Sequence, residues 1–469
     1  MKGLIMFESK IYIKRRAELK KKIKSGLILF LGNGEAPMNY TDNGYRFRQD
    51  STFLYYFGLD IPDLTAVIDV DENKETIFGN DFTMDDIVWM GPQPTIKKLS
   101  AKCGVNLTAA SNEMEKVLEN AVKQGRKIHF IPQYRYDNML KLQNLLGISG
   151  NVINNFASTE LVKTIAEQRY IKSNEEIEEI EKAISISYEM QTSAMRFARP
   201  GMYEREVAGF MEGLALSLGA GLSFPTILSR HGETLHNHHY DNKFKDGDIV
   251  VNDSGAETIL HYASDITRTF PVSGKFTSQQ REVYEIVLIS QLVAISEIKP
   301  AVNYKTVHLK TAEVIADGLK ALGLMKGNTK AIVEAGAHAL FFPHGVGHLM
   351  GLDVHDMENY GENNLGYDAK NKRSTQFGLK YLRFARPLVP GIVLTVEPGI
   401  YFIPQLIDKW QSEKKFKEFI NYDKVDQYRT FGGIRIEDDI IVTKNSSRIL
   451  GRPIPKAVED VEEIASDKI

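Results

Sequence analysis

Hydrophobic and polar positions recur along this chain with two different periods, and the change of period marks where its elements fall. A basic helix is predicted over residues 9–22, followed by an apolar strand over 27–31. Strands are predicted over 65–70 and 75–78 around the turn Asp71-Glu72-Asn73, and another over 127–131 before Pro132. This mixture reads as an α/β domain, with the polar stretch 150–155 as a loop near its end.

From Ser173 the period becomes helical. Ser173 with Glu176 forms a capping box, and Ile177, Ile180, Ile184, Tyr188 and Met195 follow at helical spacing until Arg199-Pro200-Gly201 stops the run. A helix is predicted over 204–218, and Thr277 with Gln280 caps a long one reaching towards Ile298. Between these helices fall strands at 249–255, 266–272, 393–397 and 433–442. A chain of 469 residues is too long for one ordinary core. Two domains are therefore expected, 1–168 and 169–469, in an α+β protein.

Composition adds mainly exclusions. With 43% hydrophobic and 25% charged residues and no long apolar run, a membrane-spanning protein is not expected. The apolar stretch at residues 3–7 is shorter than the roughly 7 to 15 residues a secretory leader needs, so a cytoplasmic address is expected. The single cysteine, Cys103, has no intrachain partner and reads as a small buried apolar residue. A net charge of -3 offers no basic excess to neutralise phosphates, which argues against nucleic acid as a partner.

Ten of the eleven histidines lie between His231 and His355, which directs attention to the second domain. Acids are also embedded there in strand-like apolar sequence, where an isolated carboxylate costs several kcal/mol unless paired or bound to a cation. If residues 256–261 connect a hairpin, Asp253 and Asp265 come opposite one another, with Cβ atoms about 5 Å apart. A cation would relieve their repulsion. The bland alternative has Asp253 capping a turn and Asp265 paired with Arg268.

Pro343-His344-Gly345-Val346-Gly347-His348 precedes Gly351-Leu352-Asp353-Val354-His355-Asp356. Its glycines argue against a helix, and in an extended chain the even offset puts His344 and His348 on one side. One such histidine would more often be a satisfied core residue; three so close together favour a site. Val393-Leu394-Thr395-Val396-Glu397 is an apolar strand ending in an acid before Pro398-Gly399, either a projecting functional group or a surface acid at a turn. In Gly433-Ile434-Arg435-Ile436-Glu437-Asp438-Asp439, Arg435 and Glu437 share a strand face, where a simple salt bridge between them is the structural alternative.

Together these elements supply four carboxylates and one imidazole. Such hard donors suit manganese, magnesium or iron better than thiolate-type zinc, and four negative charges balance two divalent ions. A two-metal centre that lowers the pKa of a shared water is implied, and with it hydrolysis.

At these residues the chain resembles the pita-bread metallopeptidases, in the proline-directed branch of aminopeptidase P and prolidase. Tyr45-Arg46-Phe47-Arg48-Gln49-Asp50-Ser51 and residues 53–59 resemble the aminopeptidase P-type N-terminal domain. The resemblance implies two divalent metal ions per chain, manganese first, with cobalt, zinc, iron and magnesium as alternatives. Asp253 and Asp265 would hold one ion and His348 and Glu397 the other, with Asp265 and Glu437 bridging. It further implies that Glu397 handles the proton of the attacking water, His355 steadies the oxyanion and His236 meets the substrate beside the scissile bond. His344 would stand on the substrate side, and Arg435 would orient the acids. The implied substrate is a proline-containing peptide or dipeptide, and the implied assembly a homodimer or tetramer.

Two departures stand out. Asp253 and Asp265 are twelve residues apart, one more than the family spacing, so the connection must absorb a residue. The run His236-Asn237-His238-His239-Tyr240 is rich in histidine, so His238 or His239 could take the role given to His236. Arg383 resembles a prolidase arginine that binds a dipeptide's free carboxylate, its bland alternative being a surface salt bridge, so dipeptidase action competes with aminopeptidase action. A non-catalytic peptide-binding module on the same fold is disfavoured, because all five ligand positions are present.

Overall fold

In the computed structural model, residues 5–468 are described. The start of the apolar stretch at 3–7 lies outside them. Chain contacts divide the protein into two compact units, one made of the chain up to Arg169 with Met357–Leu365, the other of Tyr170–Asp356 with Gly366 onwards.

The first unit contains a five-stranded sheet in the order β4-β3-β2-β1-β5. Its strands are β1 (Leu27–Leu31), β2 (Thr65–Asp69), β3 (Lys74–Phe78), β4 (Leu107–Ala109) and β5 (Ile128–His129). Antiparallel β2 links β1 and β3, while β4 and β5 join the edges in parallel. Every residue of β1 is buried, as its unbroken apolar run requires for a central strand. The basic helix Ser9–Lys22 buries Arg16, which donates to Glu75 and to the carbonyls of Tyr56 and Cys103. Two expectations shorten: β5 covers only part of 127–131, and 150–155 is not all loop, because Ile153–Phe156 forms a short 3-10 turn.

The second unit carries the long helices. Asn174–Phe197 and Ser278–Glu297 begin at the capping boxes Ser173/Glu176 and Thr277/Gln280, and Glu204–Leu218 stands at its predicted bounds. They flank short antiparallel ladders. β6 (Gly221–Leu222) pairs with β9 (Ala256–Glu257), while β8 (Ile249–Ser254) lies between β7 (Ile227–Ser229) and β10 (Ile266–Pro271). β11 (Val393–Val396) and β15 (Ser447–Ile449) flank β14 (Asp438–Val442), and β12 (Gly399–Tyr401) pairs with β13 (Gly433–Arg435).

The predicted single strand 433–442 is thus two strands. At the break Ile436 N–H donates to Pro398 and Glu437 N–H to Thr267, drawing the backbone away from a common partner and turning Glu437 inward. Arg268 is fully buried and donates to Asp438 at 2.7 Å and to the carbonyls of Thr267, Glu437, Ile454 and Pro455, so it is a structural anchor and not the partner of Asp265. Among the described residues no helix is long and apolar enough to cross a membrane.

Candidate metal centre

The register of β8 and β10 sets the first two acids. Asp253 lies opposite Thr267, and Asp265 precedes β10 by one residue. The expectation that the two aspartates face each other is corrected: they are diagonal neighbours, brought to the same face by strand alternation. The cause is the connection between them. Residues 256–257 leave to pair with β6, Glu257 bridges back to Ala263, and His261 takes a left-handed φ of 64°. Gly255 is required there, because a Cβ would lie 1.8 Å from the Ser264 carbonyl.

Asp253 Oδ2 accepts from Arg435 Nη2 at 2.6 Å. Arg435 therefore pairs across the molecule with Asp253, not along its own strand with Glu437. Its Nη1 donates to the Tyr401 hydroxyl at 2.8 Å and its Nε to Thr267 Oγ1 at 3.2 Å. Thr267 in turn donates to Glu437 Oε2 at 2.7 Å. Tyr401 and Thr267 were not among the sequence candidates. Thr267 had a readable signal, standing two residues after Asp265 on the same strand face; Tyr401 had none.

The loop bearing the histidines is irregular, as its glycines predicted. His348 Nδ1 donates to the Leu349 carbonyl at 3.1 Å, leaving Nε2 with its lone pair 3.3 Å from Asp265 Oδ2 and 3.8 Å from Glu397 Oε1. His355 stacks edge-on against it, ring centres 4.3 Å apart. His344 Nδ1 donates to Gly345 at 2.7 Å, so Nε2 accepts from the Tyr401 hydroxyl at 2.9 Å. Burial first, then Arg435, pushes the His344 pKa down to about 3, keeping the ring neutral.

Donor atoms of Asp265, His348 and Glu437 lie within 4.8 Å of one another, and all three residues are buried. Asp253 Oδ1, Asp265 Oδ1 and Glu437 Oε1 are buried without a hydrogen-bond partner. Buried polar atoms are rarely left so, and carboxylate oxygens are costly to orphan. Burial, then Glu437 and Asp253, holds the Asp265 carboxyl well above its ordinary range; burial, then Glu397 and Asp253, does the same for Glu437. Burial raises Glu397 to about 8, with Arg435 partly opposing. Unpaired oxygens, crowded acids and an imidazole lone pair fit divalent cations.

All five expected ligand positions line one cavity of about 650 Å³, with His236, His344, His355, Arg383 and Arg435. His238 also lines it; His239 is not among its lining residues. Leu235, Phe377 and Ile403 give it an apolar wall, and Tyr381 stands with its ring 6.1 Å from that of Phe377. A concave chamber with an apolar side and a cationic donor beside charged groups can hold a short peptide against the acids.

Comparison with known proteins agrees with this geometry. Residues 178–444 match the profile of metallopeptidase family M24, and residues 12–129 that of the aminopeptidase P N-terminal domain. The chain is 34% identical to a human Xaa-Pro dipeptidase over 451 residues, covering 94% of this chain and 89% of that one. A Podospora anserina protein named "Probable Xaa-Pro aminopeptidase" is 31% identical over 467 residues, 98% of this chain and 96% of that one. Among solved structures, proline aminopeptidase P II from Yersinia pestis superposes with a TM-score of 0.81 at 28% identity, covering 98% of this chain and 100% of the other.

Proposed function

The chain belongs to metallopeptidase family M24, its pita-bread catalytic domain following an aminopeptidase P-type N-terminal domain, and from that membership we propose that it hydrolyses the bond between a peptide's N-terminal residue and a following proline. The observation carrying this reading is the buried convergence of Asp265, His348 and Glu437, with carboxylate oxygens no hydrogen-bond donor satisfies. Two divalent ions per chain, manganese by preference, are assigned to it. Asp253 with Asp265 would hold one and His348 with Glu397 the other, Asp265 and Glu437 serving both. When bound, the ions supply Lewis acidity, lowering the pKa of water enough for attack near neutral pH.

The chain's own groups do the rest. Glu397, a carboxylate once cations are bound beside it, takes the proton of the attacking water and returns it to the leaving proline nitrogen. His355 steadies the developing oxyanion, and His236 meets the substrate beside the scissile bond. His344, held neutral, stands on the substrate side. Arg435 keeps Asp253 oriented through the 2.6 Å contact. Proline lacks the amide hydrogen and fixes its backbone, which explains why a dedicated chamber is needed. A cytoplasmic location and a dimer or tetramer complete the proposal.

Arg383 favours a second reading. Its guanidinium lines the cavity, where it suits a dipeptide's terminal carboxylate, making the chain an Xaa-Pro dipeptidase. Turnover of Xaa-Pro dipeptides and Xaa-Pro-Yaa tripeptides decides between them. The aminopeptidase reading predicts cleavage of both and only a small effect of Arg383→Ala on the tripeptide. Exclusive dipeptide cleavage, with KM for it raised about tenfold or more in Arg383→Ala, establishes the dipeptidase.

A further inference from the structure

Two of the residues that converge on the centre come from irregular chain. His348 lies in the glycine-rich loop and Asp265 just ahead of β10. Their side chains nevertheless meet at 3.3 Å, a contact that requires two backbones 83 positions apart in sequence (348 − 265) to be fixed with respect to each other.

One rung of the β11–β14 ladder reaches both. Thr395 and Asp439 are directly opposed across it. In an antiparallel pair their Cβ atoms lie about 4.5 to 5.5 Å apart on the same face. Thr395 Oγ1 accepts the backbone N–H of His348 at 3.1 Å, while the Thr395 N–H donates to the His348 carbonyl at 2.9 Å. Asp439 Oδ2 accepts the backbone N–H of Asp265 at 3.1 Å. Both rung residues are fully buried. Tyr304, at the start of the helix Tyr304–Ala321, donates to the Thr395 carbonyl.

We propose that Thr395 and Asp439 are positioning residues: opposed on one rung, each accepts a ligand residue's backbone N–H, and together they set the spacing between His348 and Asp265. Neither is a ligand in the proposed centre, and each acts only through the residue it holds. Such outer partners commonly govern metal affinity, because a donor misplaced by about 0.5 Å no longer fits a fixed coordination geometry. The inference rests on the two-cation reading of the site.

The test uses the full chain, stripped with a chelator and titrated calorimetrically with Mn²⁺ alone, in the wild type and in Thr395→Val and Asp439→Leu. Thr395→Val keeps the buried volume and removes only the acceptor, so it carries the test if Asp439→Leu does not fold. The Mn²⁺ dissociation constant is expected to rise about ten- to a hundredfold in each. Thr395→Ser and Asp439→Asn, which retain an acceptor oxygen, are expected to stay within about threefold of wild type. Wild-type affinity in Thr395→Val overturns the inference while leaving the metal reading intact. A wild-type chain that takes up no Mn²⁺ removes the metal reading itself.

Discussion

Asp265→Ala is expected to lower kcat on an Xaa-Pro substrate by at least about a thousandfold and to reduce bound metal to one ion per chain or fewer. Asp265 is the acid on which the site's distances converge, with Oδ2 3.3 Å from His348 Nε2 and Oδ1 unpartnered. A cation at a hydrolytic centre supplies several kcal/mol of transition-state stabilisation, and each 1.36 kcal/mol is worth about a factor of ten in rate. Asp265→Asn keeps the shape but replaces the anionic donor, and should fall nearly as far. Metal analysis beside single-substrate kinetics checks both; more than about a tenth of wild-type activity in Asp265→Ala would exclude Asp265 as a ligand.

The chelated protein is expected to lose thermal stability as pH rises from about 5 to 8, whereas the Mn²⁺-loaded protein gains it. In the folded, metal-free chain the carboxyls of Asp265, Glu437 and Asp439 are held above their ordinary range chiefly by burial, and Glu397 is raised to about 8. An acid whose folded pKa exceeds its unfolded value binds more protons folded than unfolded between the two. Its contribution is therefore complete below the unfolded value, near 4, and is lost as pH rises through the folded one. Cation binding needs the deprotonated acids and the His348 lone pair, so it strengthens over the same window. The difference between loaded and stripped protein should widen by several kcal/mol, about ten degrees in melting midpoint. Scanning calorimetry at pH 5, 6.5 and 8 reads it, and parallel curves for the two forms would show that no buried acid cluster is being neutralised.

How much of this was legible in the sequence depended on how local each cause was. Capping boxes act between residues three apart, so Ser173/Glu176 and Thr277/Gln280 marked their helix starts correctly. The glycines around His344 and His348 correctly excluded a helix for the same reason. Alternation gave Asp253 and Asp265 a common face but the wrong rung. The chain between them leaves to pair with β6, a partner more than thirty residues upstream.

The break before Glu437 was invisible because Thr267 and Pro398, both distant in sequence, take its backbone hydrogen bonds. The bland alternative, a salt bridge between Arg435 and Glu437, is not what forms: Arg435 pairs with Asp253, 182 positions away. Tyr401 carried no local mark: its function lies in a hydroxyl shared between His344 and Arg435, which only the packed β12–β13 pair brings together. The residues that bear charge could be named from the sequence, while those that hold them in place emerged from the fold.

Equilibrium dialysis of the stripped wild-type chain against Mn²⁺ at pH 8, followed by elemental analysis, tests the central claim most directly. About two ions retained per chain are expected from four carboxylates and one imidazole. Less than about one-tenth of an ion per chain, with the protein folded, would contradict the account.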